Sequence, residues 1–146
     1  MVLNGAEYNR ARAFDYLRQI KGPADMPLAR RAAQLSALAV NAAPADAYGW
    51  SLLAWSTMLR MEPQIALTAL NRSWVLGPDA PLLSADRVLV ATGLGLLEPS
   101  AATPWQLERL QEDVSNFVIG MPQLAANAAS QYPALEAFIQ QMPEDL

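Results

Sequence analysis

One stretch of the chain, residues 47–80, constrains the fold more than any other. It reads AYGWSLLAWSTMLRMEPQIALTALNRSWVLGPDA, and Pro63 and Gly77 divide it. Proline inside a helix removes a hydrogen bond but suits the first turn of a new helix, whereas glycine tolerates the left-handed conformation that ends many helices. The stretch therefore predicts two consecutive helices, at about 47–60 and at 63–76.

The apolar side chains of these two segments are spaced as on one face of a helix. Trp50, Leu53 and Ala54 stand at i, i+3 and i+4, which is the helical repeat. In the second segment Ala66 and Ser73 are small, so two helix backbones can approach closely there. We therefore expect an antiparallel helix pair in which Trp50 fills the gap beside the small residues.

The spacing of these positions also resembles a known repeat. It is W-x2-L-A-x2-T followed by A-x3-L-x2-S-x4-P, which is similar to the 34-residue helix–turn–helix unit of the tetratricopeptide repeat family. Ala54, Thr57 and Leu70 depart from the family pattern, which has glycine, tyrosine and an aromatic residue there. The resemblance implies stacked helix hairpins, and a generic antiparallel helix pair is the alternative.

A partial second copy of the pattern precedes the first. Ala32, Ala39 and Pro44 lie 34 residues before Ala66, Ser73 and Pro78. This partial repeat, at 28–46, covers the second helix of a unit only, because the Gly22–Pro27 loop shifts the preceding helix out of phase.

Further helices are predicted on both sides of the repeat. Asp46 precedes the repeat helix as an N-cap, and Thr103-Pro104-Trp105-Gln106 has the form of a capping box. Trp74 and Trp105 are expected to wedge between neighbouring helices. The predicted helices outside 47–80 are Asn4 to about Ile20, 28–43, 81–97, 103–120, one from Pro122 that Pro133 breaks, and 134–141.

These patterns predict an all-α fold. About seven helices would stack as antiparallel hairpins into a short α-solenoid, in a single domain over residues 1–146. Residues 81–146 would supply divergent helices and a terminal cap, since repeat stacks need a cap over the last apolar face. A compact orthogonal bundle is the alternative.

Composition removes most catalytic chemistry. The chain has no cysteine and no histidine, so it lacks the thiolate nucleophile, the usual general base and the commonest transition-metal ligand. The net charge of −4 argues against nucleic acid as a partner. We therefore expect a protein that is not an enzyme and that has no catalytic residue, no cofactor and no metal site.

One acidic cluster needs separate consideration. Glu108, Glu112 and Asp113 fall within one predicted helix, and paired carboxylates can perform acid–base chemistry or hold a hard cation. Adjacent acids on a helix more commonly form a solvated face, and this is the expected role.

The family resemblance implies where a partner would bind. In tetratricopeptide repeats the first helix of each unit lines a concave groove, and an aromatic and methionine surface there suits an apolar peptide or an amphipathic helix. The alternative is that a terminal helix folds across this face and makes it core. The groove positions are Tyr48, Ser51, Leu52, Trp55, Met58, Leu59, Leu82, Asp86 and Leu89.

One groove chemistry of the family is missing. Members that bind chaperones clamp a peptide carboxylate with basic and amide side chains from successive first helices. The corresponding positions here hold Leu52, Trp55, Leu82 and Asp86. None of these is basic, so the resemblance implies a scaffold without a carboxylate clamp.

We therefore hypothesise a non-catalytic scaffold, bacterial by composition, that binds a protein or peptide partner. The alternative is a structural protein that self-assembles as a homo-oligomer in the cell envelope. A mean hydropathy of +0.10 favours the alternative, as does the charge distribution. Residues 1–31 hold six basic and three acidic residues, whereas residues 98–146 hold one and seven.

The sequence predicts no membrane insertion. No uncharged apolar run approaches the roughly 20 residues that a membrane-spanning helix needs, and the most apolar segment, Val88–Leu97, is too short. No signal peptide follows Met1. We expect a soluble protein of the cytoplasm or periplasm, or one that originally followed an anchor or signal that has been removed.

Overall fold

A computed structural model describes residues 5–143, and every regular element in that range is helical. Consecutive helices pack in adjacent pairs, so the all-α prediction is confirmed. Short 3₁₀ turns at Pro23–Asp25 and Pro81–Leu83 precede two of the helices. The eight α-helices of this range are α1 (Gly5–Arg18), α2 (Met26–Ala42), α3 (Ala47–Leu59), α4 (Pro63–Leu76), α5 (Ser84–Gly93), α6 (Pro104–Gly120), α7 (Pro122–Gln131) and α8 (Pro133–Gln141).

The helices form two compact units. The first extends to Pro78 and contains α1–α4, and the second begins at Asp79 and contains α5–α8. The structure of each unit does not test the expectation of one continuous domain over residues 1–146, which stays a prediction.

The helix pair of the repeat has the predicted bounds. Asp46 caps α3, since its carboxylate accepts a hydrogen bond of 3.2 Å from the Tyr48 backbone N–H. Ala66 and Ser73 are fully buried, and the Ser73 hydroxyl donates to the Ala47 carbonyl at 3.0 Å. The small residues therefore bring α4 close enough to α3 for a hydroxyl to reach the backbone of its first turn.

The tryptophan predicted to fill this interface is the wrong one. Trp50 is only half-buried, and its indole N–H donates to the Pro44 carbonyl at 2.8 Å while Arg72 lies 5.9 Å from its ring. Trp74 is the tryptophan with no exposed surface, as expected, whereas Trp105 is 41% exposed and does not wedge between helices. The polar partners of Trp50 hold its indole at the edge of the pair.

Several helix ends differ from the prediction. Asn4, the predicted start of the first helix, lies outside the described residues. The helix predicted at 81–97 is shorter, because a 3₁₀ turn precedes Ser84 and the chain leaves helical geometry after Gly93. Pro133 separates α7 from α8, because Tyr132 before it takes an extended conformation.

Candidate functional site

The face of α3 predicted to form a groove belongs to the core of the first unit. Leu52 has no exposed surface and lies in one cluster with residues of α1 and α2. Helix α1 therefore occupies the face, as in the alternative of a terminal helix that folds across it. The other buried members of the cluster are Ala13, Leu17, Ala32 and Leu35.

The remaining α3 positions of the predicted groove are also at least half-buried. Tyr48, Trp55 and Leu59 are half-buried and pack against the same cluster. Ser51 is 1% exposed, and its hydroxyl donates to the Tyr48 carbonyl at 2.7 Å. Met58 is half-buried. Tyr48 also lines an open pocket beside α1, and binding of a partner at these residues stays a prediction.

Electrostatic contacts hold α1 against α3. The Arg10 guanidinium pairs with the Asp46 carboxylate at 2.7 Å and lies 5.0 Å from the centre of the Tyr48 ring. The same carboxylate caps the start of α3, so one acidic group both begins this helix and binds the helix that covers it. Pairs of this exposure contribute little individually, and burial of Leu52 and its neighbours is the larger contribution.

Arg12 has a different role on the outer side of α1. Its guanidinium donates to the hydroxyls of Tyr8 and Tyr16, at 3.3 and 3.0 Å. The hydrogen bond from Arg12, with a further contribution from its charge, lowers the pKa of the Tyr16 hydroxyl. This stack stabilises successive turns of one helix and brings no free basic group into a pocket.

The groove positions predicted in the second unit are more accessible. Leu82 is 90% exposed, while Asp86 and Leu89 are half-buried. Burial raises the pKa of the Asp86 carboxyl to about 6, although the neighbouring charge of Arg87 opposes the shift. Binding of a partner at these three residues stays a prediction.

The three acids of α6 lie in three different environments. Glu108 is exposed and pairs with Arg109 at 3.1 Å, whereas Glu112 lies 3.8 Å from the same guanidinium. Desolvation, followed by a hydrogen bond with Asp79, raises the pKa of Glu112. Asp113 is 1% exposed, so the expectation of a solvated face is wrong for this residue.

Asp113 is the centre of a buried polar network. Arg87 donates to both of its carboxylate oxygens, from Nε at 2.9 Å and from Nη2 at 2.8 Å. The Ser84 hydroxyl donates to the same carboxylate at 2.9 Å and accepts from the Asn116 amide at 3.4 Å. The bidentate geometry offsets the cost of removing both charges from water. Since Arg87 belongs to α5 and Asp113 to α6, the network links the two helices. Its buried serine is inaccessible to a substrate.

The sequence does not by itself pair Arg87 with Asp113, because the two residues lie 26 positions apart on different helices. The signal that could have shown this pair is that Asp113 and Arg87 are opposite charges, each on an otherwise apolar helix face. A pair of such charges on two neighbouring helices indicates a buried ion pair, since isolated buried charges are costly.

An open apolar pocket lies between α7 and α8. Its volume is about 270 Å³. Ala125 is almost fully buried, Ala129 is half-buried and Ala126 is exposed, so small side chains leave a depression between the two helices. Val118 and Ile139 also line the pocket, and the polar residues of its lining are Glu136 and Gln140.

Large apolar side chains are exposed where α6 meets α7. Ile119 is 73% exposed, and Met121 and Leu124 are 45% and 47% exposed. Pro122, which begins α7 at this junction, also lines the alanine pocket. This region of the second unit therefore combines a depression with accessible apolar surface. Sequence analysis did not single it out, because the depression depends on how α7 and α8 pack together.

Two further features were sought in the described residues, a metal site and a membrane-spanning helix. Within 5–143, no three histidine, cysteine or acidic side chains are grouped as ligands for an ion. None of the helices in this range is long and apolar enough to cross a bilayer.

Comparison with known proteins gives no relative on which to base an assignment. No family model, no curated protein and no solved structure matches the chain.

Proposed function

We propose that the protein is a non-catalytic interaction module that binds a partner helix or peptide in the alanine pocket between α7 and α8. The observation that carries the proposal is the pocket itself, a depression of about 270 Å³ with alanines along α7 and a single carboxylate, Glu136, in its lining. The proposal moves the binding surface from α3, where α1 occupies the predicted groove, to the second unit.

The shape of the pocket suits one apolar side chain of a partner. Alanines at 125, 126 and 129 present methyl groups and leave space above them. A leucine, methionine or phenylalanine that enters such a depression is removed from water, which stabilises a complex by about 1.5–3 kcal/mol per side chain. Amphipathic helices bind to apolar grooves through anchor residues of this kind.

The charge around the pocket favours a partner with basic residues beside its anchor. Neither α7 nor α8 contains a lysine or arginine, and Glu136 is exposed. Opposite charges across an interface increase the association rate and select the register of binding more than they add affinity. We therefore infer an amphipathic partner helix that has an apolar anchor and a basic flank.

The proposal retains the likeness to tetratricopeptide repeats as a scaffold. The buried small residues Ala66 and Ser73 and the bond from Ser73 to Ala47 support it, since close packing of the two repeat helices needs small side chains there. A role without catalysis is supported by the composition, which lacks histidine and cysteine.

A displayed library of amphipathic helical peptides tests the proposal. Peptides are selected on the unmodified protein and then measured against Ala126→Lys, which places a positive charge at an exposed pocket position with little loss of helix propensity. Ala37→Lys is the matched control, because Ala37 is an exposed alanine of α2.

We expect selected peptides to contain an apolar anchor with basic neighbours and to bind Ala126→Lys at least about tenfold more weakly, because the lysine side chain displaces the anchor and its charge repels the basic neighbours. Binding to Ala37→Lys should be unchanged. Selection of no peptide, or equal binding to both variants, would refute the proposed site.

A further inference from the structure

A second pocket of the α5–α8 unit has a different character. It lies between the loop that follows α5 and helices α6 and α8, and its volume is about 360 Å³. Leu96 and Leu97 of the loop are at most 7% exposed, and Leu107 of α6 and Phe138 of α8 also line the pocket. Glu98 and Ser100 are polar groups of the same lining.

Hydrogen bonds hold the loop in place at both ends. After α5, the Gly95 and Leu96 N–H groups donate to the Thr92 and Ala91 carbonyls at 3.1 and 3.0 Å, with Gly95 in a left-handed conformation at φ 77°. This pattern is a Schellman motif. At the other end, Thr103 begins α6 with a capping box. The pocket wall is therefore a defined structure before any ligand binds.

Ser100 is held in a conformation that costs free energy. The Ala101 N–H donates to the Glu98 carbonyl at 3.1 Å, and Ser100 between them has φ 65°. Pro99 at the second position and a positive φ at the third are typical of a type II turn, in which glycine is preferred at the third position. Strain of this kind, about 1–3 kcal/mol, is concentrated at binding sites, and here it places a residue with a hydroxyl group in the pocket lining.

Glu98 has no cationic partner in the part of the chain that the structure describes. The α5–α8 unit contains only two basic residues, of which Arg87 pairs with Asp113 and Arg109 pairs with Glu108 and Glu112. The carboxylate at the apolar pocket is therefore available to a positive charge from outside the unit.

We propose that this pocket binds a small amphiphilic amine, with its apolar body against Leu96, Leu107 and Phe138 and its protonated amino group on the Glu98 carboxylate. An apolar cavity of about 150 Å³ holds benzene, so about 360 Å³ accommodates one aromatic ring with a short alkyl chain. The inference does not depend on the alanine pocket, since the two linings share no residue.

The charge of the ligand is tested with three probes that have the same body. They are 3-phenylpropylamine, 3-phenylpropan-1-ol and 3-phenylpropanoate, which are positive, neutral and negative at pH 7. Binding is measured by titration while amide shifts are followed in nitrogen-15 spectra of the full chain. We expect the amine to bind about fivefold more tightly than the alcohol, as one exposed ion pair allows, and the carboxylate to bind most weakly.

Variants identify the residues. Glu98→Gln should remove the preference for the amine over the alcohol and leave the affinity for the alcohol unchanged. Glu108→Gln, an exposed glutamate outside this pocket, is the matched control and should retain the preference. Phe138→Leu should weaken all three probes, with the fold checked by circular dichroism.

Three results would overturn the proposal. The first is the absence of shifts around residues 96–107 at millimolar amine. The second is equal affinity for the three probes. The third is a preference for the amine that survives in Glu98→Gln.

Discussion

At the scale of the residue, two residues other than glycine have a left-handed backbone conformation within the range 5–143. They are Met61, with φ 60°, and Ser100, with φ 65°. Met61 ends α3, where its N–H donates to Met58 and the next N–H donates to Thr57. A residue with a Cβ costs about 1–2 kcal/mol in this conformation, and Met61, at 86% exposed, recovers little of that cost by burial.

Replacement of Met61 by glycine should therefore stabilise the protein. We expect Met61→Gly to raise the free energy of unfolding by about 1 kcal/mol, because glycine adopts positive φ without the Cβ contact. Urea unfolding gives the value. Met61→Ala is the control, since it removes the same side chain and keeps the strain. A glycine variant no more stable than the alanine variant would contradict the explanation.

Asp86 gives a prediction on pH. Its folded pKa of about 6 lies above the ordinary value of 3.8, so the folded state binds more protons between these values and stability falls as pH rises through them. Asp86→Asn removes this loss. We expect the variant to equal the unmodified protein at pH 3 and to exceed it by on the order of 2 kcal/mol at pH 7.

Urea unfolding at pH 3, 5 and 7 checks the Asp86 prediction. The informative quantity is the difference in unfolding free energy between the two proteins, because other titrating groups cancel. A difference that is the same at all three pH values would show that burial does not raise this pKa.

At the scale of the element, local signals determine what the sequence can predict. Pro63 sets the start of α4, and Thr103 with Gln106 sets the start of α6, because these effects act within one helical turn. Gly77 follows the last residue of α4 as predicted, but at φ −143° and not in the left-handed conformation. The position of α1 depends on contacts between residues far apart in sequence. The pattern of α3 could not decide whether Leu52 faces a partner or Leu17, since both arrangements bury a leucine.

The stability of the buried polar network between α5 and α6 depends on the charges of Arg87 and Asp113 together. Asp113→Leu leaves Arg87 buried without its carboxylate and should cost about 3–5 kcal/mol of stability. Addition of Arg87→Met should recover most of this loss, because an apolar pair of similar volume has no charge to desolvate. Ser84→Ala is included in every member of the series so that no hydroxyl loses its acceptor.

The cycle has four proteins, all with Ser84→Ala: this parent, Asp113→Leu, Arg87→Met and the double variant. Their chemical denaturation gives the coupling energy between residues 87 and 113. We expect the double variant to be more stable than the variant with Asp113→Leu alone. Losses that simply add would contradict the interpretation of the network as a buried ion pair.

At the scale of the whole molecule, the two compact units have different roles in this account. The α1–α4 unit contains the repeat-like helix pair, and Leu52 of its predicted groove packs with its half-buried neighbours against α1 and α2. The α5–α8 unit contains the two apolar pockets on which the proposals depend. Its acidic character favours basic partners for both. Self-association through opposite charges stays a prediction.

The central claim is that α1 fills the face of α3, which leaves the α5–α8 unit to bind the partner. Nuclear Overhauser contacts between leucine methyl groups, measured on the full chain with selective labelling, test this claim most directly. We predict strong contacts from Leu52 to Leu17 and Leu35, whose side chains share one buried cluster. Absence of these contacts, with Leu52 methyl groups accessible to a soluble paramagnetic agent, would contradict it and restore the groove on α3.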